Sequence, residues 1–114
     1  MPRSSNICTI PERWILDVTT ILKRGDDIHE IEWTTRASRE WQIFGRFAEA
    51  SAAMLTVLIP GVQGKKVTMP IDEGPTYSFF FYAKSEQMYG KICLRYDGKI
   101  VIIYSAHKAE RDTL

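Results

Sequence analysis

The sequence predicts an α+β domain in which an antiparallel sheet of four to five strands carries two helices packed on one face. Apolar residues recur at helical spacing near the N-terminus, runs of β-branched and aromatic residues fill the second half, and Asp97-Gly98 stands between two such runs. Asp-Gly in that position is a strong hairpin signal, because glycine accepts positive φ angles. The chain has no internal repeat and no linker. Helices followed by a group of strands are typical of an α+β fold.

The composition fits one domain spanning residues 1–114, long enough to bury a core without metals or disulfides. With 45% hydrophobic and 25% charged residues, the chain is ordinary for a globular protein. No apolar run reaches the roughly 18 residues of a membrane span, and the N-terminus lacks the apolar segment of a signal peptide. We therefore expect a cytoplasmic protein.

Charge is spread unevenly along the chain, although the formal net charge is only +1. Residues 1–60 carry seven Lys or Arg against eight acids, whereas residues 61–108 carry seven against four. The second half is therefore the more favourable side for an anionic partner.

Cysteine and histidine are too few and too far apart for a metal site. Cys8 and Cys93 form neither a zinc spacing nor a disulfide framework, and His29 is distant from His107 in sequence. The glycines are dispersed, so no phosphate-cradling loop is present. We predict no metal and no cofactor, and we interpret Cys93 as a packing residue.

The N-terminal segment predicts a loose arm over residues 1–8 and then a helix over residues 10–24. Thr9 and Glu12 have the spacing of a capping box, with Pro11 in the first turn. Apolar residues follow at helical spacing, namely Trp14, Ile15, Val18, Ile21 and Leu22. The face they share is predicted to be core.

The next two elements are a strand and a helix. Residues 28–35 alternate, with His29, Ile31 and Trp33 on one side, and predict a strand. Residues 36–51 favour a helix, although the segment WQIFGRF is also compatible with a strand.

Four segments then predict the remaining sheet. Residues 54–59 are apolar and end at Pro-Gly, as a buried strand would, and residues 65–69 suit an edge strand after a turn at Gln63-Gly64. Residues 76–84 are aromatic on both faces and predict a central strand. A tight connection at residues 85–87 leads into the hairpin of residues 88–108.

The hairpin is predicted to have a two-residue type I′ loop, which places Lys91 opposite Tyr104. Its core face then holds Ile92, Leu94, Val101 and Ile103. The other face mixes cations with apolar side chains: Lys91, Cys93, Arg95, Ile100, Ile102 and Tyr104. His107 follows at the exit of the last strand, so this mixed face is the predicted site.

Two segments carry a resemblance to a known family. HEIEWTTRASREWQIF resembles the start of the RelE/ParE class of bacterial toxins, and YGKICLRYDGKIVIIYSAHKAERD resembles the close of that fold. The broader group includes barnase, the EndoU nucleases, tRNA-cutting colicins and contact-dependent inhibition toxins. The resemblance implies a small α+β ribonuclease whose open sheet face binds RNA. The chain differs in having a helix before the first strand and no obvious glutamate at the general-base position.

Metal-free RNA cleavage needs proton transfer and stabilisation of phosphorane charge. His107 is the candidate for proton transfer, because histidine titrates near neutral pH. Lys91 and Arg95 are the candidates for holding the phosphate. The candidate substrate-binding residues are Lys84 and Lys108, which would extend that grip, and Tyr89 and Tyr104, which would stack on a base. Arg36 and Arg39 are candidates for more distant phosphates.

The predicted partners are RNA and a cognate antitoxin or immunity protein. The alternative is a protein-binding module, such as an immunity or antitoxin-like protein or a phage-encoded inhibitor, which would use the same face without catalysis. RNA binding without cleavage lies between the two. An inhibitor would not need His107, and this residue therefore separates the hypotheses.

Overall fold

A computed structural model describes residues 7–24, 29–111 and 114, which form three helices and a six-stranded mixed sheet. The elements are β1 (Ile7–Thr9), α1 (Glu12–Lys23), β2 (Ile31–Trp33), α2 (Thr35–Gln42), α3 (Phe47–Leu55), β3 (Gln63–Val67), β4 (Thr76–Ala83), β5 (Glu86–Leu94) and β6 (Val101–Lys108). The α+β class is confirmed, with more strands and one more helix than predicted. Among the described residues, no helix is long and apolar enough to cross a membrane.

The sheet has the strand order β1-β3-β4-β5-β6-β2. All neighbours are antiparallel except β2 and β6, so the prediction of a wholly antiparallel sheet is wrong. β2 pairs with a strand some seventy residues further along the chain, Ile31 lying opposite Val101. Because no turn joins two strands so far apart in the chain, their pairing leaves no local signal in the sequence.

β1 corrects the prediction of a loose N-terminal arm. Ile7 and Cys8 pair with β3, whereas residues 1–6 of the predicted arm lie outside the described residues. Because β1 covers the outer side of β3, the latter is not the edge strand that its lysines suggested. Gln63-Gly64, predicted as a turn, is the first part of β3.

The core lies between the helices and one face of the sheet. Trp41 of α2 and Phe79 and Phe81 of β4 are fully buried, and the buried side chains of α1 and α3 belong to the same cluster. Gly90 permits this packing, since a Cβ there would approach the Phe79 ring to 3.0 Å. The predicted arrangement of helices on one face is confirmed.

α1 begins at Glu12 with Pro11 as its N-cap, and the predicted capping box is wrong. Thr9 belongs to β1, and its hydroxyl accepts a hydrogen bond from Gln63 Nε2 at 2.8 Å. The helix ends at Lys23, so it is shorter at both ends than the predicted range of residues 10–24.

The predicted helix over residues 36–51 is two helices, because the chain turns at residues 43–46. Trp41 stabilises this turn, since its indole N–H donates to the carbonyl of Arg46 at 2.8 Å. α2 begins after Thr34, whose hydroxyl accepts from the Ala37 backbone N–H. The predicted strand over residues 54–59 is also wrong: Met54 is buried from within α3, and a short apolar run does not distinguish helix from strand.

Two hairpins connect β4, β5 and β6. The first turns at Lys84 and Ser85, which have φ angles of 52° and 64°, so β4 is confirmed and the connection lies one residue earlier than predicted. In the second, only Gly98 has a positive φ (72°), which excludes the predicted type I′ turn. Instead, the Gly98 N–H donates to the Arg95 carbonyl at 2.8 Å.

Candidate functional site

A β-bulge decides which side chains of β6 face away from the core. The predicted register holds from Leu94–Val101 to Ile92–Ile103 and then shifts between Ile92 and Lys91, which pairs with Ser105. The prediction that Lys91 lies opposite Tyr104 is therefore wrong. A bulge sets two residues of one strand against one of its partner and re-aims the side chains that follow. Strict alternation from Ile103 would send His107 into the core, and the bulge turns it to the open face.

On that open face, three rings form a row across three neighbouring strands. Phe80 of β4 lies opposite Tyr89 of β5, and Tyr89 lies opposite His107 of β6. The Tyr89 and His107 ring centroids are 5.3 Å apart, with 31° between the planes. We call these three residues the aromatic row. Phe80, which the sequence did not single out as a site residue, is its outer member.

The aromatic row forms the floor of a concavity of about 300 Å³. Lys91 and Ser105 lie beside it on the floor, Arg36 of α2 lines one side, and residues 109–111 with Leu114 line the rest. The concavity therefore unites Tyr89, Lys91 and His107, three of the predicted site residues. Arg36, predicted to reach only distant phosphates, belongs to it as well.

His107 is held by its own strand. Its Nδ1 lies 2.8 Å from the carbonyl oxygen of Lys108. Because a carbonyl only accepts, the hydrogen bond requires a proton on Nδ1, and Nε2 is the nitrogen of the neutral ring that accepts a proton. The ring is partly exposed at the concavity, so this nitrogen belongs to a group that can exchange protons with a ligand.

Lys91 lies between two serines, Ser78 of β4 and Ser105 of β6. Partial burial lowers the pKa of its ammonium, the Arg36 charge lowers it further, and the Glu40 charge opposes the change. A desolvated cation next to a second cation is stabilised by an anion. The lining holds three cations, Lys91, Arg36 and Arg111, against one acid, Glu110, so the concavity is suited to a negatively charged ligand.

Glu40 and Arg36 lie one turn apart on α2. Arg36 Nε donates to Glu40 Oε2 at 3.2 Å. The other carboxylate oxygen, Oε1, is the one buried side-chain N or O atom without a hydrogen-bond partner in the part of the chain that the structure describes. An unpaired buried oxygen is costly, so Glu40 has capacity for one more hydrogen bond. Sequence reasoning missed this residue because its role depends on where α2 meets the sheet.

The other end of the open face is closed by the loop at residues 72–75. Cys93 and Ile102 are buried there without belonging to the main core cluster, and Cys93 Sγ lies 3.6 Å from the Gly74 carbonyl oxygen. Tyr104 donates to Glu73 Oε2 at 3.2 Å. The packing role predicted for Cys93 agrees with its burial.

Arg95 and Tyr104 therefore lie apart from His107. Arg95 lines a separate acidic pocket with Asp72, Glu73 and Asp97, where a phosphate would meet negative charge. Tyr104 is likewise held by Glu73. The sequence placed both residues on the face of Lys91, and it did not reveal that an acidic loop covers this part of the face.

Lys84 and Lys108 also lie outside the concavity. Lys84 is in the β4–β5 turn, where its charge contributes to lowering the pKa of Glu49, after the larger effect of the Arg46 backbone hydrogen bond. Lys108 forms an ion pair with Glu86, its Nζ 3.6 Å from Oε1. Neither lysine is among the residues that line the concavity.

We expect Glu73→Gln to lower the pKa of Tyr104, which burial first and the Glu73 charge second raise to about 12. Burial remains in the variant, so the pKa should stay above the ordinary value of 10.0. The group is raised in the folded state, so its stabilising effect is present below the unfolded pKa and is lost as pH rises towards about 12. Alkaline titration of tyrosinate absorbance, with Tyr104→Phe identifying the transition, measures the change. Glu86→Gln is the control, and an unaltered Tyr104 pKa in Glu73→Gln would contradict the contact.

Comparisons with known proteins add no relative. No family model, curated protein or solved structure matches the chain, so the resemblance to the RelE/ParE class stays a prediction. Within residues 7–24, 29–111 and 114, no group of three or more His, Cys, Asp or Glu side chains could hold a metal ion. The geometry of the concavity is therefore the basis for a functional proposal.

Proposed function

We propose that the protein is a small metal-independent endoribonuclease of bacterial toxin type that cleaves RNA in the concavity. The observation that carries the proposal is the shared placement of the His107 imidazole and the Lys91 ammonium, with the Arg36 guanidinium at the side. Internal cleavage of an RNA phosphodiester needs proton transfer and stabilisation of the phosphorane charge, and these residues supply one group for the first and two cations for the second.

In the proposed reaction the substrate supplies the nucleophile. The ribose 2′-hydroxyl loses its proton and attacks the adjacent phosphorus, and the bond from phosphorus to the 5′-oxygen breaks. The leaving oxygen takes up a proton, so the products are a 2′,3′-cyclic phosphate and a 5′-hydroxyl. The balance consists of two proton transfers and one exchange of P–O bonds. The proton that the 2′-hydroxyl releases equals the one that the leaving oxygen takes up, and solvent carries the proton that His107 does not, so no water, oxidant or metal is consumed.

His107 takes one of the two proton transfers through Nε2, because the Lys108 carbonyl accepts the proton of Nδ1. Lys91 and Arg36 stabilise the charge that develops on the phosphorane, Arg36 taking the role that the sequence assigned to Arg95. Such preorganised cations act most strongly where water is partly excluded, and the partial burial of Lys91 provides that condition.

Glu40 supports this site from α2. Its carboxylate holds Arg36 by a hydrogen bond, and its charge favours the ammonium form of Lys91. Glu40 is thus a positioning residue, which supports Arg36 and Lys91 from behind the lining of the concavity.

We expect the purified protein to cleave a single-stranded RNA in EDTA and to leave the same sequence intact when every ribose is 2′-deoxy. The deoxy strand keeps the phosphates and bases and lacks only the nucleophile. The measurement is end-group analysis of the products. A second assay examines total RNA extracted from expressing cells, in which ribosomes are present during cleavage. Intact RNA in both assays, or equal cleavage of the deoxy strand, would contradict the proposal.

A protein partner, such as an antitoxin, is the second candidate, and one observation favours it. A groove of about 560 Å³ lies between α1 and the end of α3, and its lining is mainly apolar. Leu16 and Ile59, both in this lining, are 59% and 56% exposed. Exposed apolar grooves are typical of protein contact surfaces. This groove is separate from the concavity, so it is compatible with either function.

A further inference from the structure

We infer that the concavity takes an unpaired stretch of RNA, with a base stacked on the aromatic row and its phosphate at Lys91. This inference rests on the proposed function and names the form of its substrate. The geometry that leads to it is the alignment of Phe80, Tyr89 and His107 across three strands, with cations on one side of the line.

The aromatic row offers π faces to the ligand. Phe80, Tyr89 and His107 are each partly exposed and all line the concavity, whereas Phe79 and Phe81 of the same strand are fully buried. Because side chains alternate along β4, Phe80 lies on the open face, opposite Tyr89. Bases stack on such rings without regard to sequence, because each base has a π face.

The spacing along β5 relates base to phosphate. Lys91 follows Tyr89 by two residues on the same face, which corresponds to about 6.8 Å along an antiparallel strand. A ribose fits between a base on Tyr89 and a phosphate at Lys91. His107, opposite Tyr89 on the neighbouring strand, then lies beside the position of that ribose.

A double helix does not satisfy this arrangement. In duplex RNA the faces of each base are covered by its neighbours, and recognition is confined to phosphates, 2′-hydroxyls and the shallow groove. The aromatic row requires one base to leave its stack. Electrostatics alone would not distinguish the two forms, because Lys91 and Arg36 attract phosphates of either.

The closing experiment measures binding without cleavage, using a fluorescein-labelled single-stranded oligonucleotide with 2′-O-methyl riboses and the same strand annealed to its complement. We expect the wild type to bind the single strand more tightly than the duplex. Tyr89→Leu should weaken single-strand binding about 5- to 150-fold, the equivalent of one lost stacking contact. Tyr89→Phe should keep it, because the ring remains.

Tyr82→Ala is the matched control. It removes a ring from the same face of β4, where Tyr82 is 58% exposed and does not line the concavity, and it should leave binding unchanged. Thermal unfolding of each variant reports whether the sheet is intact, and Phe80→Leu provides a second ring deletion.

Equal binding of duplex and single strand overturns the inference, as does Tyr89→Leu binding like the wild type in a folded protein. Stacking-dependent binding of the single strand without cleavage of the ribose version would overturn the proposed nuclease and keep this inference.

Discussion

His107→Ala is expected to lower the rate of RNA cleavage by about 10²- to 10⁴-fold, the usual contribution of one positioned acid or base. The variant removes Nε2, the nitrogen that the Lys108 hydrogen bond leaves for proton transfer. Lys91, Arg36 and two rings of the aromatic row remain, so binding of a non-cleavable strand should weaken by no more than the about 5- to 150-fold of one lost stacking contact. Single-turnover cleavage in EDTA, measured beside binding, separates the two effects.

His29→Ala is the matched control for that experiment. His29 is exposed and lines a different pocket, between α1 and the β5–β6 turn, and its loss should leave cleavage unchanged. The result that would remove His107 from the mechanism is a folded His107→Ala protein that cleaves at the wild-type rate. Growth arrest that persists in His107→Ala would keep toxicity and assign the catalysis elsewhere.

Trp41→Ala is expected to lower the free energy of unfolding by about 3–5 kcal/mol, the cost typical of deleting a buried Trp or Phe side chain. Trp41 is fully buried, lies against the Phe44 and Phe81 rings, and donates a hydrogen bond to the Arg46 carbonyl. The alanine leaves a cavity between α2 and the sheet and removes one of two hydrogen bonds that the Arg46 carbonyl accepts, the other coming from the Glu49 backbone N–H at 3.0 Å. Urea unfolding followed by circular dichroism measures the difference.

Two further variants show which part of Trp41 matters. Trp41→Phe keeps most of the apolar volume and loses only the indole N–H, so its effect should be smaller than that of alanine. Ile43→Ala, two residues away at a position 81% exposed, should stay within about 0.5 kcal/mol of the wild type. If Trp41→Ala cost no more than Ile43→Ala, the packing of α2 described here would be wrong.

The sequence predicted best those parts of the fold that depend on local signals. The Asp97-Gly98 hairpin, the aromatic strand that became β4 and the apolar face of α1 each have a period or a turn dipeptide within a few residues. By contrast, the pairing of β2 with β6 and of β1 with β3 depends on residues far apart in the chain. The short apolar run at residues 54–59 is equally compatible with a helix and a strand. In the structure the run begins in the last turn of α3, where Met54 packs into the core.

The sequence predicted the kind of site, but not all of the residues that form it. Lys91 and Tyr89 follow from strand alternation, whereas His107 faces outward only because of a bulge that has no marker such as glycine in β6. Arg95 and Tyr104 were grouped with them because strand alternation predicts on which face a residue lies, but not which loop packs over that face. In the structure, Asp72 and Glu73 lie over this part of the face. Arg36 and Glu40 enter because α2 lies beside β6, a contact that only the tertiary structure reveals.

The lengths of the outermost strands bear on how the molecule behaves among its own copies. β1 and β2, at the two margins of the sheet, have three residues each, whereas β4, β5 and β6 between them have eight or nine. Unpaired backbone at a sheet margin is a template on which a second chain can add and aggregate, and natural proteins often keep such strands short. The protection covers one end of each outer long strand, since β3 pairs with β4 at residues 76–78 and β2 pairs with β6 at residues 101–103.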